Sequence, residues 1–492
     1  MMREYNEIAI CSIRDLIQKG EIKNAKKIIK KYLALDYKNS DMHNLMGITY
    51  ALEKDFNEAI KSFEKATKID KNFIEPTINK AAAHIEIKEY QKAIQILKKI
   101  DSQKSENSNI KMLLGIAFRR LGNMSQAIEM FTEILNISPN NIEALSNRGI
   151  SNADSGNYSL ALEDYLNALQ INSGYSEANH NLAHIYLAEM NFLEGWKQYE
   201  WRWKTREFNS APITTSKPIW NGKDFAVRLY VWAEQGLGDQ ILYASMFHEL
   251  RASVQTLTVG VDQKLLILFR RSFPNIEFFD KNFIVSEENY DAHIPIGSLG
   301  QFFRREKKDF ETVKYPYLTV CDEKYQLLKK KLVQPSVKLV GLSWLSKNEK
   351  IGSFKSIQLS ELLPILTVSN TKFIDLQYTD TTTEREQLRK EYGINIEKMN
   401  SIDNFNDIDG LAALIMCCDL IITTSNTTAH LAGAIGKQVI LLLPFSKGRF
   451  WYWHHENKKS LWYPSVTVNE QLKMDDWLEV IQDVANNIKS EQ

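Results

Sequence analysis

The chain has 492 residues, 44% of them hydrophobic, and its 61 acidic and 61 basic residues give a formal net charge of zero. This length predicts more than one domain, and the balanced charge argues against a nucleic-acid partner. No apolar run is long enough to cross a membrane and the N-terminal stretch lacks a signal-peptide core, so we expect a soluble cytoplasmic protein without a membrane span.

The first two hundred residues repeat with a period of 34. A small residue recurs at this spacing, a second small residue follows twelve positions later, and an aromatic or large apolar residue follows four positions after that. The three series are Gly47, Ala81, Gly115, Gly149 and Ala183; Ala59, Ala93, Ala127, Ala161 and Gly195; and Phe63, Leu97, Phe131, Tyr165 and Tyr199. This spacing is typical of the tetratricopeptide repeat. With a degenerate repeat at Ile13 and Ala25, we predict about six repeats over residues 1–208.

The concave face of such an array usually binds a peptide or a protein. Asn79, Asn147 and Asn181 each lie two residues before the first small residue of their repeats. They resemble the asparagine ladder of O-GlcNAc transferase, in which side-chain amides hold a peptide backbone, although Leu45 and Leu113 interrupt the series. The alternative is that these asparagines are solvated or cap local turns.

An aromatic segment, residues 195–208, closes the repeats with three tryptophans and a tyrosine. Aromatic side chains bury large areas, so we expect this segment to attach the array to the following domain; carbohydrate stacking is the alternative. Residues 209–226 are predicted to be a connecting strap, since the segment is rich in Pro, Ser and Thr and lacks periodicity.

A strand, a glycine turn and a helix are predicted over residues 228–252. Gly236 and Gly238 permit a tight turn and the close approach of a ligand. Asp239 follows at the helix start and at the carboxyl end of the strand, where ligands bind in open α/β sheets. Asp239 is therefore either a helix cap or a catalytic base.

The second α/β half, residues 335–492, starts with a strand and a polar loop that carries Lys355. A strand over residues 372–378 has Gln377 at its end, and a helix over residues 405–417 begins near Asp407 or Asp409. The stretch from Asp419 to Pro444 predicts one βαβ unit, because two apolar β-branched runs flank a polar turn and small residues at helical spacing.

The polar turn of this βαβ unit carries Thr427, Thr428 and His430. Hydroxyl groups and free backbone N–H groups at a helix start suit a phosphate. The alternative is an ordinary crossover with capping threonines.

We predict no metal site. The four cysteines are few and irregularly spaced, and Cys417 and Cys418 lie in an apolar run, as expected of buried thiols in a reducing compartment. His454 and His455 are adjacent, so their side chains point in different directions, and packing of their aromatic-rich loop near a ligand is the better interpretation.

Several motifs together resemble the ADP-heptose heptosyltransferase-like glycosyltransferases, of which a bacterial subgroup carries N-terminal tetratricopeptide repeats. The motifs are QGLGDQ, GLSW, IDLQY and DLIITTSNTTAHLAGAIGKQVILLLP. The resemblance covers nearly the whole chain and implies a GT-B architecture. The fold class is then an α-solenoid followed by two Rossmann-like domains, an acceptor half at residues 227–334 and a nucleotide-sugar donor half at residues 335–492.

The resemblance also implies roles for individual residues. Asp239 matches the family's catalytic base, and Thr427, Thr428 and His430 match the turn that contacts the donor phosphates. Lys355 occupies a place where the subgroup usually has Arg-Ser, which implies a cation facing the diphosphate. The resemblance also places Gln377 and Asp407 near the nucleotide base and ribose of the donor.

One departure from the family lies in the donor turn. The family often has Asp-Thr or Asp-Ser-Gly there, whereas this chain has Thr424-Ser425-Asn426. The change removes a carboxylate, which leaves the identity of the donor and the activity itself open.

The implied reaction is a metal-independent transfer of a sugar from a nucleotide donor, with no cofactor, to a protein acceptor that the repeats hold. Flagellin is the implied acceptor, because some repeat-bearing members of the group are linked to flagellin modification. Two alternatives stay open: a glycosyltransferase that acts on a lipid or polysaccharide, and a non-catalytic scaffold that binds partners through its repeats.

Overall fold

The computed structural model describes residues 2–101, 107–206, 208–348, 351–474 and 476–490. Contacts within the chain divide it into two compact units, Met1–Ser173 and Gly174–Gln492. The predicted domain boundaries at residues 208, 226 and 334 stay predictions. The architecture is the predicted one, a helical repeat array followed by an α/β region with two sheets.

The described part of the first unit is entirely helical. Its helices are α1 (Met2–Gln18), α2 (Ile22–Leu35), α3 (Ser40–Leu52), α4 (Phe56–Ile69), α5 (Glu75–Glu86), α6 (Tyr90–Asp101), α7 (Ser108–Leu121), α8 (Met124–Ile137), α9 (Ile142–Asp154) and α10 (Tyr158–Ile171). Each helix packs against the next along the chain. This pairing of consecutive helices is the nearest-neighbour packing of a repeat array.

The 34-residue register is confirmed by the packing inside the repeats. A Cβ atom added to Gly115 would lie 2.5 Å from Cε1 of Phe131, and one added to Gly149 would lie 2.6 Å from Cε1 of Tyr165. The small residues of the second series are completely buried, for example Ala127. In the repeats with a glycine at the first small position, the aromatic ring therefore lies directly on that glycine, and a larger residue there would collide with the ring.

The second unit contains the remaining elements. Its helices are α11 (Ser176–Ala188), α12 (Phe192–Tyr199), α13 (Leu237–Ala244), α14 (Phe247–Ala252), α15 (Leu266–Ser272), α16 (Gly300–Phe303), α17 (Asp322–Leu332), α18 (Gly352–Lys355), α19 (Leu363–Leu366), α20 (Thr382–Tyr392), α21 (Ile408–Cys417), α22 (Thr427–Ala434) and α23 (Leu478–Ser490). Short 3-10 helices cover Glu200–Lys204, Gln263–Leu265, Glu287–Asn289, Ile296–Ser298, Lys307–Phe310, Leu359–Leu362 and Trp451–Trp453.

Two sheets form the frame of the second unit. The strands are β1 (Arg228–Trp232), β2 (Thr256–Val261), β3 (Glu277–Asp280), β4 (Ala292–Pro295), β5 (Lys338–Ser343), β6 (Thr371–Asp375), β7 (Ile396–Glu397), β8 (Leu420–Thr424), β9 (Val439–Leu443), β10 (His455–Glu456), β11 (Lys459–Ser460) and β12 (Val466–Glu470). The first sheet is parallel, in the order β3-β2-β1-β4. The second has the order β10-β11-β12-β9-β8-β5-β6-β7 and is parallel except for the pairings of β11.

The central strands are buried on both faces, which explains their continuous apolar sequences. Every residue of β8 is buried, and β1 has only its first residue partly exposed. The predicted βαβ unit is confirmed as β8, α22 and β9, whose strands pair in parallel with Ile421 opposite Val439. The predicted polar loop that carries Lys355 instead ends in one helical turn, α18. Ser356 Oγ stabilises this turn by donating to Gly352 O at 2.8 Å.

Helices α11 and α12 belong to the second unit, although their sequence continues the repeat register. Trp196 of α12 is buried, donates from Nε1 to Arg304 O at 2.7 Å, and meets the ring of Trp451 edge to face at 5.3 Å. The aromatic segment thus packs on the α/β part of its own unit, and the burial of Trp196 favours the attachment role over carbohydrate stacking.

Candidate functional site

Asp239 lies in the first turn of α13, just after the carboxyl end of β1. Its withdrawal from water raises the pKa of the carboxyl to about 6, against the opposing effects of backbone hydrogen bonds at Gly236 and Asp239 and of the Lys355 cation. The hydrogen bond to Gly236 ties the carboxylate to the N-cap of its own helix. Asp239 therefore supports the helix start and also has the proton affinity of a general base that works near neutral pH.

The two glycines of the turn have different surroundings. A Cβ atom on Gly236 would meet only Asp239 Oδ2, at 3.5 Å. A Cβ atom on Gly238 would lie 2.8 Å from Cδ2 of His430, which belongs to α22 in the other half. Gly238 therefore permits α13 and α22 to approach each other closely, and the contact brings the predicted base beside the predicted donor turn.

The donor turn is built around Asn426, which caps α22. Its Oδ1 accepts from the N–H groups of Thr428 and Ala429 at 3.0 and 3.4 Å, and its Nδ2 donates to Ser343 Oγ at 2.8 Å. An amide supplies both the acceptor and the donor that this place uses. A carboxylate at Asn426 could accept these bonds but could not donate to Ser343 Oγ.

The two threonines of the turn differ in accessibility. Thr428 is buried and its N–H is bonded to Asn426, whereas Thr427 is partly exposed at the first position of α22. Thr427 is consequently the better placed of the two to reach a ligand. Thr424, at the end of β8, is fully buried, and its hydroxyl lacks a hydrogen-bond partner in the described part of the chain.

Lys355 is a buried cation that reaches the same turn. Its Nζ donates to Ser425 O at 2.7 Å and lies 4.6 Å from the ring centre of Phe450. Burial lowers the pKa of Lys355 to about 8, and the Asp239 carboxylate acts in the opposite direction. The structure thus brings the predicted cation of one half within electrostatic reach of the predicted base of the other.

His430 is buried in a cage of aromatic rings. Its Nδ1 lies 2.9 Å from Tyr463 Oη, and its ring centre is 4.7 Å from Trp453 and 5.2 Å from Tyr452. Burial lowers the pKa of His430 to about 3, and the Lys355 cation lowers it further. The imidazole is therefore neutral, and the predicted contact of Thr427, Thr428 and His430 with donor phosphates stays a prediction.

Gln377 is buried beneath the loop after β5, and its predicted contact with a nucleotide stays a prediction. The side chain is fully buried: Oε1 accepts from the N–H groups of Trp344 and Leu345 at 3.1 and 3.0 Å, and Nε2 donates to Leu345 O at 3.2 Å. These bonds use the amide to hold the loop after β5. Gln377 therefore holds the loop after β5 through buried hydrogen bonds.

Asp407 is the N-cap of α21 and is half exposed. Its Oδ1 accepts from Gly410 N at 2.8 Å and from Lys324 Nζ at 3.1 Å. These contacts are those of a helix cap held by an ion pair, and they leave part of the carboxylate facing solvent. The predicted ribose contact stays a prediction.

The asparagines of the repeats make local hydrogen bonds. Asn79 Nδ2 donates to Asn44 Oδ1 at 3.0 Å, and Asn147 Nδ2 donates to Glu143 O at 2.9 Å. Asn181 lies partly buried on α11, in the second unit. The bonds of Asn79 and Asn147 favour the local alternative over a free ladder, and binding of a peptide at these three residues stays a prediction.

A buried ion pair beside the glycine turn was not predicted. Arg202 donates from Nη2 to Glu234 Oε1 at 2.8 Å and to Ser298 Oγ at 2.8 Å, and neither charged side chain is exposed. Burial raises the pKa of Glu234 to about 7, although Arg202 opposes this shift. Glu234 stands directly before the turn in the sequence, but nothing in the aromatic segment indicates that Arg202 is its partner.

The paired histidines of the C-terminal loop have separate partners. His454 Nδ1 lies 3.0 Å from Trp451 O, whereas His455 Nε2 lies 2.8 Å from Glu470 Oε1. Over the described ranges, no group of three or more His, Cys, Asp or Glu side chains is arranged to hold a metal ion. Over the same ranges, no helix is long and apolar enough to span a membrane.

Comparisons with known proteins identify the repeats. Tetratricopeptide-repeat family models match residues 50–117 and 108–141. Protein FlbA of Caulobacter vibrioides is 29% identical over 425 residues, which cover 80% of this chain and 69% of FlbA. DnaJ homolog subfamily C member 7 of Mus musculus is 27% identical over 192 residues, and the chain spans only 34% of its length.

Solved structures of repeat proteins are similar to about a third of this chain. MamA (41-end) from Desulfovibrio magneticus RS-1 has 19% identity and a TM-score of 0.32, over 34% of this chain and 96% of that one. The matches to the family models show that the chain carries tetratricopeptide repeats. Its similarity to FlbA is long enough to include residues of both units.

Proposed function

We propose that this chain is a glycosyltransferase that moves a sugar from a nucleotide donor to a protein acceptor. The observation that carries the proposal is the packing of α13, which carries Asp239, against α22, together with the hydrogen bond of 2.7 Å that Lys355 Nζ donates to Ser425 O just before α22. A base with a raised pKa and a cation at a helix start are the two groups that such a transfer requires.

Each of these residues would have a separate role in the reaction. The Asp239 carboxylate would accept the proton of the acceptor hydroxyl as the new glycosidic bond forms. Lys355 and Thr427, at the positive end of the α22 dipole, would stabilise the leaving diphosphate without a metal ion. His430, Asn426 and the close approach at Gly238 would fix these groups in position.

The acceptor class rests on the repeats. Tetratricopeptide arrays commonly bind proteins through their concave face, and a protein acceptor such as flagellin agrees with the family that the motifs resemble. A transferase that acts on a lipid or polysaccharide is the second candidate, because the α/β unit by itself does not distinguish the acceptors.

Sugar transfer is the direct test. The full chain would be incubated with a panel of nucleotide sugars and purified flagellin, and the intact mass of flagellin would be followed. We expect a mass increase of one sugar with the parent chain and a loss of at least about a hundredfold in rate with Asp239→Asn, because proton transfer by a side chain contributes about 10²–10⁴-fold.

Two results would count against the proposal. An Asp239→Asn variant with the parent rate would remove Asp239 as the base. Transfer to lipid or polysaccharide extracts but to no protein would favour the second candidate. Asp224→Asn is a suitable control, because Asp224 is an exposed carboxylate of the predicted strap.

A further inference from the structure

Two histidines on one face of α11 form a cluster outside the residues discussed so far. His180 and His184 are one helical turn apart, and their Nε2 atoms lie 3.3 Å from each other. Their rings meet edge to face with centres 4.7 Å apart. Neither Nδ1 atom has a hydrogen-bond partner among the residues that the structure describes.

The pair lies close to the predicted base. The ring centres of His180 and His184 are 6.0 and 6.3 Å from that of Tyr199. The hydroxyl of Tyr199 accepts from Gln235 Nε2 at 2.8 Å, and Gln235 belongs to the turn that carries Asp239. The Asp239 carboxylate also helps to raise the pKa of Tyr199 to about 12, after the larger effect of burial. The side chain of Tyr199 thus links the histidines to the turn of the base.

Both imidazoles are neutral at physiological pH. Withdrawal from water lowers the pKa of His180 to about 2, with smaller contributions from His184 and the Arg202 cation. The pKa of His184 is lowered for the same first reason, although part of this residue is exposed. A bond between two neutral rings needs one Nε2–H donor and one Nε2 acceptor.

The hydrogen bond between the two imidazoles determines which donor and acceptor groups the pair can offer to a ligand. The ring that donates from Nε2 keeps a lone pair on Nδ1, and the ring that accepts at Nε2 carries its proton on Nδ1. The pair therefore presents one acceptor and one donor on its two Nδ1 atoms. The N–H and C=O of one extended residue of a peptide point to the same side and form the complementary donor and acceptor.

We propose that His180 and His184, with Tyr199, form a subsite that binds the peptide backbone of the acceptor next to the hydroxyl that Asp239 deprotonates. This assignment rests on the proposed function and names the acceptor side of the same site. It concerns α11 of the second unit and is independent of Asn79 and Asn147. The two imidazoles are positioning residues, because they would hold the acceptor without taking part in proton transfer.

Chemical modification tests the subsite without an activity assay. Diethylpyrocarbonate acylates accessible neutral imidazoles, and peptide mass spectrometry would follow His184 in the full chain, with His248 as the internal reference. Short synthetic peptides with a central serine or threonine are the probe. We expect modification of His184 to slow by about tenfold at peptide concentrations near ten times Kd, while modification of His248 is unchanged.

Three outcomes would overturn the subsite. His184 would be modified at the same rate with and without peptide; or nucleotides alone would protect it, which would assign the pair to the donor; or only free saccharides would protect it, which would make the acceptor a sugar. A separate thermal-shift measurement distinguishes failure of the proposed function. If no nucleotide raises the melting temperature of the protein, the proposed function itself fails.

A variant supplies the second measurement. His184→Gln changes an exposed side chain and is expected to leave the fold intact, and His248→Gln is the matched control. With a peptide that the parent glycosylates, we expect His184→Gln to raise KM about tenfold, the effect of losing about 1.4 kcal/mol of binding, with kcat nearly unchanged. An unchanged KM would overturn the assignment.

Discussion

At the scale of the residue, Asp239 and Lys355 set the protonation states that the proposed reaction needs. The pKa of Asp239 is raised to about 6 and that of Lys355 is lowered to about 8, in both cases chiefly by burial. A base must be deprotonated and a phosphate-binding cation must be protonated. Activity therefore requires a pH above the first value and below the second.

The pH profile of kcat/KM is the first prediction. We expect a bell-shaped curve that rises through about pH 6 as Asp239 loses its proton and falls through about pH 8 as Lys355 loses its own. In Lys355→Arg the alkaline limb should move well above the parental value, because a guanidinium stays protonated. An alkaline limb that is unchanged in this variant would show that Lys355 does not control it.

Gly238 provides the second prediction. In Gly238→Ala the new Cβ would collide with the His430 ring, which cannot move freely because Trp453 and Tyr463 pack against it. We expect a loss of about tenfold or more in kcat/KM, since a misplacement of about 1 Å at a catalytic group can cost about a hundredfold. Gly236→Ala is the control and should retain most activity, because its Cβ would meet only Asp239 Oδ2, at an ordinary contact distance of 3.5 Å; equal losses in both variants would contradict this explanation.

Sequence reasoning predicted part of the candidate site at this scale. Asp239 and the threonine turn stand out because they follow apolar strands. In the structure α13 packs against α22 and Lys355 donates to Ser425 O, while the roles of these residues stay predictions. Sequence reasoning did not find the ion pair of Arg202 and Glu234, because no sequence spacing indicates a pairing across 32 residues. Gln377 stood at the end of a strand as expected, but its amide faces inward, and strand position alone does not determine that direction.

At the scale of the element, the start of α22 depends on one capping residue. Asn426→Ala would remove the bonds to two helix N–H groups and to Ser343 Oγ. We expect a loss of about 1–2 kcal/mol in the free energy of unfolding, measured with urea. Asn426→Asp keeps the cap but loses the donor and should lie between the parent and Asn426→Ala; an Asn426→Asp variant as unstable as Asn426→Ala would contradict the role of the cap.

The repeat helices give a prediction of the same scale. Gly115→Ala would place a methyl group against Phe131 and should cost about 1–3 kcal/mol in unfolding free energy. In a Phe131→Leu background the cost should be smaller, because leucine leaves space for the methyl group. A double-mutant cycle in urea measures this coupling, and strictly additive effects would contradict the predicted contact.

The elements themselves were predictable where they are long and apolar. Strands β1, β8 and β9 follow from their apolar and β-branched runs, and α22 follows from small residues at helical spacing. The short strands β7, β10 and β11 contain two residues each, too few to produce a period. Strands β10 and β11 also lie in a stretch whose density of aromatic residues obscures any strand pattern.

At the scale of the whole molecule, the sequence and the contacts divide the chain at different places. The repeat register continues through Tyr199, so sequence alone favours a boundary near residue 208. The contacts divide the chain after Ser173, because the large side chains of α12 are buried against the α/β part. Helices α11 and α12 have the sequence of a repeat but pack with the α/β unit. Their packing also brings His180 and His184 towards the turn of Asp239.

The central claim is a nucleotide-sugar donor site at the start of α22, and a thermal-shift experiment tests it most directly. The full chain would be heated with UDP, GDP, ADP or CMP, each with and without magnesium. We predict that one nucleotide raises Tm without magnesium, since a ligand at about a hundred times its Kd adds about 2.7 kcal/mol to the stability of the folded state. The shift should disappear in Lys355→Ala and persist in the control Lys489→Ala, which changes an exposed lysine of α23. No shift with any of the four nucleotides would contradict the donor site and favour the scaffold.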